Sequence, residues 1–573
     1  MSRQNSTLLK PILLLFAISL LVRGVTAMPE RQPHNLDEAY HTVNAITLAT
    51  GGGFTEHFIW NYLSPPATVT HPANRYWLPL TAMLAAAGMA LGGANYAAGQ
   101  RVFVLLAALL PPLTFWLAMR VTGNRRQAWL AALLMLFSGF YFAEWTAIDT
   151  FAPFALAGAL CLIALWRAAD TADWRWTLGA GIAAGLAHLL RADGVLFLVL
   201  GFGFLGSRFK VQSLRFKVQS PKSKVSSSKF KIQGFKSRFT QYAIRFTFSR
   251  FKSKVQGLRF KVAKFQNHYS LFVIHYSLLV SGYLLVMASW FIRNWRAFGA
   301  LMPPGGTKTL WLTRYDDIFS VTADLSWRGY LAWGWGNILQ SKMWAVWMNL
   351  QTLTAVIGLV VVFPLAVIGW WQLRRHPLFQ LAAGYLGLLW LAMTFAFTFP
   401  GVRGALFHSG GAVLPPVAIA GVVGLDAAIA WVAQRRRGWH IPTAQKVFGG
   451  GLVFFAALIS LFTAAQKLSA WNTAQAEYAA IIPALPNPAA TVMAINPPAV
   501  LYFGGEKAIA VPNEPPETVI TIARKYGADY LILEKNHPAP LDKLYRGDDV
   551  PPQFKLLGEF ENGTKAYQIA SDE

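Results

Sequence analysis

The chain has 573 residues, of which 54% are hydrophobic and only 13% charged, and its mean hydropathy is +0.38; a water-soluble chain of this size carries roughly 25% charge. Its one cysteine, Cys161, lies inside an apolar run, which excludes an internal disulfide, a cysteine zinc site and thioredoxin-type chemistry. The formal charge of +25 is concentrated, because 17 Lys or Arg and no Asp or Glu fall between Ser207 and His268; the rest of the chain carries 25 − 17 = +8, ordinary for a membrane protein with basic cytoplasmic loops.

Arg3 and Lys10 precede the apolar run Pro11–Val22, which reads as an uncleaved first membrane helix, although Val25-Thr26-Ala27 has the look of a signal-peptidase site. Arg23 stands near the outer end of that helix, where a snorkelling side chain is expected. A polar loop from 29 to 75 follows on the outer side. It contains Asn35-Leu36-Asp37-Glu38-Ala39-Tyr40-His41 and four of the eleven histidines: His34, His41, His57 and His71. If 34–41 is helical, His34, Asp37 or Glu38, and His41 share one face. That face suits a divalent cation, with His34, Asp37 and His41 as candidate ligands. It equally suits a base beside an acceptor hydroxyl, or a plain solvated surface.

Apolar runs long enough to cross a bilayer recur at about 10–28, 101–121, 127–145, 151–168, 176–190, 194–206, 270–292, 352–371, 378–399, 412–432 and 447–466. The run Tyr76–Gly93 is read as re-entrant or interfacial. With it left out of the count, Arg125-Arg126, Arg167–Arg175, Arg374-Arg375 and Arg435–Arg437 all fall inside, as positive-inside topology requires. Eleven crossings then put the C-terminus outside. The expected fold is an all-α polytopic membrane protein of about 11 helices over 1–466, with outer loops 29–75 and 293–351 and a small α/β outer domain at 467–573. In that domain Thr491–Ile495, Ala508–Val511, Tyr530–Leu533 and Ala566–Ile569 read as strands and Glu517–Tyr526 as a helix.

The segment 207–268 repeats Arg208-Phe-Lys-Val-Gln-Ser213 as Arg215-Phe-Lys-Val-Gln-Ser220 without the 20–50-residue unit of a solenoid. It reads as a basic low-complexity insert in a cytoplasmic loop, and no nucleic-acid partner is expected. The loop after Arg293 holds seven of the chain's 22 tryptophans, which suits anchoring at the headgroup level. Gly201-Phe-Gly-Phe-Leu-Gly206 fits the dinucleotide pattern but ends a membrane run with no strand–turn–helix context. An activated donor would therefore arrive as a lipid.

Glu144 and Asp149 lie at the outer ends of consecutive crossings. A carboxylate there is costly unless it faces a wet cavity or a partner, and a helix N-cap is the simpler use of Asp149. Arg191, Arg293, Arg296 and Arg403, with His408 nearby, collect on the same side against the positive-inside trend. Guanidinium groups placed so suit a lipid phosphate or pyrophosphate, or pairing with the outer carboxylates.

The pair Asp37-Glu38, the stretch His71-Pro72-Ala-Asn-Arg-Tyr-Trp77, Asp149 within Ala147–Phe151, the turn Arg293–Gly299, and Arg403 before Leu414-Pro-Pro416 together resemble the GT-C membrane glycosyltransferases. The resemblance is to the protein O-mannosyltransferase and lipid A aminoarabinose transferase branch and covers about residues 10–465 outside the insert. It implies a sugar donor on a polyprenyl phosphate, a lipid, glycan or protein acceptor, and inverting transfer on the outer face of the cytoplasmic membrane. It implies Asp37 as the base, Glu38 and Asp149 as groups that orient substrate or help hold a divalent metal, and Arg403 as the phosphate binder; His71, Glu144, Arg293 and His408 are further substrate-binding candidates. His71 stands where the aminoarabinose transferases carry an acidic-Lys-Pro pattern. The competing reading is a transporter or flippase of a lipid-linked sugar or other anion, but no inverted repeat of the Asp37 region is visible.

Overall fold

The computed structural model describes residues 2–218, 272–473 and 476–570; most of the basic insert lies outside the described residues. Seven helices among these are long and apolar enough to cross a membrane: Leu8–Ala27, Tyr96–Thr122, Phe151–Thr171, Phe272–Phe298, Pro377–Ala396, Thr398–Ala433 and Ile441–Trp471. An eighth is counted if Trp335–Ile357 and Val362–Leu373, bent by 88°, form one broken span. Three of the eleven expected crossings are shorter. The 127–145 run is a 12-residue helix, Arg125–Leu136, and then the single turn Tyr141–Glu144. The 176–190 run is the 17-residue helix Trp174–Leu190, and 194–206 falls in the short apolar helix Ala192–Ser207.

The break after Leu136 explains Arg23. Instead of snorkelling, its side chain is fully buried and donates to the carbonyls of Leu136 (2.8 Å) and Phe142 (3.1 Å). A helix that stops inside the apolar core leaves carbonyls without partners, and the guanidinium supplies donors to two of them. Leu80–Gly92, the expected re-entrant or interfacial segment, is a 13-residue helix, about 20 Å long and too short for a core of about 30 Å. It folds back on the next helix, where a Cβ on Gly88 would lie 2.5 Å from the Ala98 carbonyl. Small residues permit similarly close approach elsewhere in the bundle. A Cβ on Gly181 would meet the Leu279 carbonyl at 2.2 Å.

Two helices define the ends of the bundle. Phe151–Thr171 begins beside Asp149, and its far end carries Trp166, which packs on His376. Leu414–Ala433 begins just after His408, and near its far end Asp426 pairs with Arg126. The basic loops at Arg126 and His376 thus lie at the end opposite to Asp149 and His408.

At the Asp149 end sit the first loop and the C-terminal segment, and the two share one sheet. Its strands, in chain order after the short β1 (Thr55–Glu56), are β2 (Phe58–Ile59), β4 (Thr491–Ala494), β5 (Lys507–Ala510), β6 (Ala528–Leu533), β7 (Phe554–Glu559) and β8 (Lys565–Ile569); β3 (His71–Pro72) pairs with β1. The six-stranded order is β2-β5-β4-β6-β8-β7, parallel from β2 to β6 and antiparallel beyond. The four expected strands and the helix Pro516–Tyr526 are present. β7 and the helix Pro497–Tyr502 were not legible, and neither was the edge strand lent by the first loop. That strand ties the loop bearing Asp37 to the C-terminal sheet through a common core of Tyr40, Phe58, Trp60, Tyr478 and Ile481.

Candidate active site

Leu36–Ala49 is a helix capped by Asn35, whose side chain accepts from the Glu38 amide at 2.9 Å. Successive helical residues point about 100° apart, so Asp37 and Glu38 face different ways. Glu38 turns inward. It accepts from the Tyr96 hydroxyl, from the Ile148 amide (3.1 Å) and from the His34 amide (2.9 Å), and it pairs with the His34 ring at 2.5 Å. Burial raises its carboxyl pKa, but the charge and hydrogen bonds of His34 more than offset this and hold it below the usual range. Glu38 therefore locks the loop to the bundle and does not line either of the cavities described next.

Asp37 turns toward Asp149 and His408, and the three offer ligand atoms that all lie within 4.8 Å of one another. Asp149 accepts from the Thr150 amide, just ahead of the helix Phe151–Thr171. The His408 ring stacks on Phe151 at 3.9 Å and lies 2.9 Å from the Thr150 hydroxyl and 3.6 Å from Asp149. Arg191 reaches the same corner, donating to Thr150 (3.4 Å), Ser409 (3.0 Å) and Asp193 (3.2 Å). Burial, then the neighbouring Asp149 charge, pushes the Asp37 carboxyl above its ordinary pKa, against the pull of Arg191 and Arg403. Asp149 is also raised, chiefly by burial.

Two cavities meet at this cluster, and both are lined by Asp37 and Asp149. The larger, about 1300 Å³, lies between the bundle end and the C-terminal sheet and takes in Arg403, Tyr315, Glu144 and His408 from the first side and Tyr478, Glu534 and His537 from the second. The smaller, about 340 Å³, is mainly apolar, with Tyr76, Trp77, Leu196, Met302 and Phe397 around Arg191 and His41.

The other expected site residues fall in different places. Arg403 stands over the Tyr315 ring at 5.2 Å in the larger cavity. Glu144 lines that cavity and is ion-paired with Lys467. His71 is buried away from both cavities, 3.3 Å from Glu56, which also accepts from Tyr40, Asn44 and the Asn74 amide; the pair braces the hairpin. Arg293 packs over Phe54, Trp290 and Phe298 and is likewise outside the cluster. The expected cation face of His34, Asp37 and His41 is not formed. His34 precedes the N-cap, so its ring is not on the helix; it stacks on Trp471 at 3.8 Å and serves Glu38. His41 lines the smaller cavity; its Nδ1 has no hydrogen-bond partner among the described residues, and burial with Arg191 nearby lowers its pKa to about 3. The third member of the cluster is His408, from 371 residues further along the chain. Sequence reasoning marks Arg191 only as an outward arginine and does not mark Tyr315 or Lys467 at all. The meeting of Arg191 and Tyr315 with Asp37 and of Lys467 with Glu144 is long-range and leaves no local pattern.

A family model described as dolichyl-phosphate-mannose-protein mannosyltransferase matches residues 70–218. No curated protein matches the chain. Among solved structures, ArnT from Cupriavidus metallidurans bound to undecaprenyl phosphate is similar, with 12% identity, a TM-score of 0.54 and coverage of 97% of each chain. The Archaeoglobus fulgidus oligosaccharyltransferase in complex with Zn and sulfate is similar at 12% identity and a TM-score of 0.50, over 96% of this chain and 72% of that one. At these identities the likeness is one of fold. In fold and in its matched segment, the chain resembles the GT-C membrane glycosyltransferases of the protein O-mannosyltransferase and aminoarabinose transferase branch.

Proposed function

We propose that the protein is a membrane glycosyltransferase that moves a sugar from a polyprenyl-phosphate donor to a hydroxyl acceptor on the outer face of the cytoplasmic membrane, with inversion. The observation that carries this reading is the meeting of a mainly apolar cavity and one lined by several charged side chains at one pair of carboxylates, Asp37 and Asp149. A lipid-linked donor and a water-borne acceptor need separate approaches to a common point. The smaller cavity suits the donor and the larger the acceptor, and the similar Cupriavidus protein binds undecaprenyl phosphate. In this orientation the N-terminus is inside, the unit 1–466 holds the catalytic groups, and the unit 467–573 lies outside.

Asp37 is the base. A carboxylate whose pKa is raised toward the working pH takes a proton in the transition state more effectively than an ordinary one, and burial beside Asp149 raises it. The acceptor hydroxyl gives its proton to Asp37 as its oxygen bonds to the anomeric carbon. The bond from that carbon to the lipid phosphate oxygen breaks, and lipid phosphate leaves. Arg191 and Arg403 flank the carboxylates from the two cavities and balance the charge that gathers on the departing phosphate. Two carboxylates and an imidazole form a donor set that suits a divalent cation, and Asp37, Asp149 and His408 would hold one. Such an ion would supply charge neutralisation at the departing phosphate. Glu38, His34 and His71 hold the loop that presents Asp37.

The test is release of undecaprenyl phosphate from a panel of undecaprenyl-phosphate-linked sugars by membranes containing the protein. Asp37→Asn abolishes release while insertion persists and the melting temperature does not fall. Normal release by that variant removes the base and the mechanism with it. Uptake of the lipid-linked sugar into vesicles without a covalent product would favour a transporter instead.

A further inference from the structure

A second lipid-facing feature lies away from the reaction corner. Between Val362–Leu373 and Pro377–Leu391 runs a groove of about 900 Å³, apolar along nearly its whole length. Small residues make the space: Gly358, Ala366, Ala383 and Gly387 line it. A Cβ at Gly387 would meet nothing within 4 Å, so the gap is real at that point of the wall. One end is closed by the bend where Trp335–Ile357 breaks before Val362. There Ile357 packs on Gly410, since a Cβ on that glycine would sit 2.4 Å from Ile357 Cδ1. The other end opens at Arg374, on the basic side of the bundle.

Depth and charge identify what fits. Val362–Leu373 has 12 residues and rises about 18 Å, against about 15 Å for half of a 30 Å hydrocarbon core. The groove thus matches one leaflet in depth, with its mouth at the headgroup level. Trp371 marks that level as interfacial tryptophans do. The Arg374 guanidinium lies 4.3 Å over the Trp371 ring and donates to the Trp371 carbonyl. Arg374 has no carboxylate partner among the described residues, and Arg375 beside it is exposed. A guanidinium at the mouth of a leaflet-deep apolar slot complements a phosphate carried on acyl chains.

We infer that this groove is a binding site for one anionic phospholipid of the leaflet on the basic side, its acyl chains between the two helices and its headgroup at Arg374. The lipid is structural and separate from the donor, and it supports the broken span behind the wall that carries Gly410 and His408.

The experiment is native mass spectrometry of the purified full-length protein, delipidated in mild detergent and offered phosphatidylglycerol and phosphatidylethanolamine with matched acyl chains. The expected result is retention of one phosphatidylglycerol per chain in preference to phosphatidylethanolamine. Arg374→Gln lowers that preference about fivefold, the effect of one basic residue near an anionic surface, while a lipid is still retained. Gly387→Trp and Gly387→Leu, which fill the slot on a helix that tolerates larger side chains, abolish retention of both lipids while leaving the melting temperature of the delipidated protein unchanged. Equal retention of the two lipids by the wild-type protein overturns the inference. So does full retention by both Gly387 variants. So does stoichiometric displacement by undecaprenyl phosphate, which would make the groove part of the donor's path.

Discussion

Asp37 and Glu38 are adjacent, both acidic and both at the start of one helix, yet opposite consequences are expected when each is neutralised. Glu38 serves Tyr96, Ile148 and both the ring and the amide of His34. Glu38→Gln keeps an acceptor oxygen for Tyr96 and Ile148 but loses the charge that His34 meets; a charge-assisted buried bond is worth about 1.5–3 kcal/mol and breaking a buried pair up to about 5. The expected loss is ~3 kcal/mol. Asp37 has the opposite environment. Its carboxylate lies within 4.8 Å of that of Asp149, and two like charges at that separation repel by about 3 kcal/mol at an effective dielectric near 20. Arg191 and Arg403 offset part of this, so Asp37→Asn is expected to stabilise the protein by roughly 1–2 kcal/mol, even as it stops transfer. The assay is thermal unfolding of both variants in the same detergent with a chelator present, so that no divalent ion screens the pair, together with release of undecaprenyl phosphate. The expected order of melting temperature is Asp37→Asn, wild type, Glu38→Gln. If Asp37→Asn melts as low as Glu38→Gln, the division between a reactive carboxylate held at a cost and a structural one is wrong.

Three other outcomes are open to direct measurement. Purified protein titrated with Mn²⁺ is expected to lose at least about tenfold in affinity on Asp149→Asn or His408→Gln but to change less than about twofold on His34→Gln; a similar loss from His34→Gln would return the cation to the first-loop histidines. Glu534 lies between the C-terminal sheet and the larger cavity, and burial pushes its carboxyl up to about 7 against the pull of the Tyr478 hydroxyl. The folded protein holds that proton more tightly than the unfolded chain, so this contribution to stability is fully present below pH 4.5 and is lost as pH rises through 7; with water in the cavity it amounts to ~2 kcal/mol, and Glu534→Gln flattens the melting temperature between pH 5 and 7.5. Gly181→Leu forces a side chain into the Leu279 backbone and is expected to cost about 1–3 kcal/mol or more by overpacking, separating Trp174–Leu190 from Phe272–Phe298. A melting curve like that of the wild type would show that the two helices do not depend on this contact.

Much of this molecule can be read without coordinates because a bilayer imposes rules that act locally. A span must be apolar over its whole length, and basic loops stay on one side, so seven of the eleven expected spans, the basic end and the short Leu80–Gly92 segment follow from hydropathy and charge alone. The alternation of short strands with Pro516–Tyr526 is equally local, and so is the polar stretch carrying Asp37 after the first apolar run. The tertiary structure decided the rest, because it depends on which distant residues meet. It brings His408 rather than His34 to Asp37, since the N-cap at Asn35 leaves His34 off the helix and in reach of Glu38. It spends Glu38 and His71 on bracing the loop, and it gives Arg23 to the carbonyls of a helix broken at Leu136. It lends β2 from the first loop to the C-terminal sheet, and so builds the larger cavity between two parts of the chain more than 400 residues apart. Local pattern can place acidic groups on one side of a membrane; only packing determines which of them share a cavity.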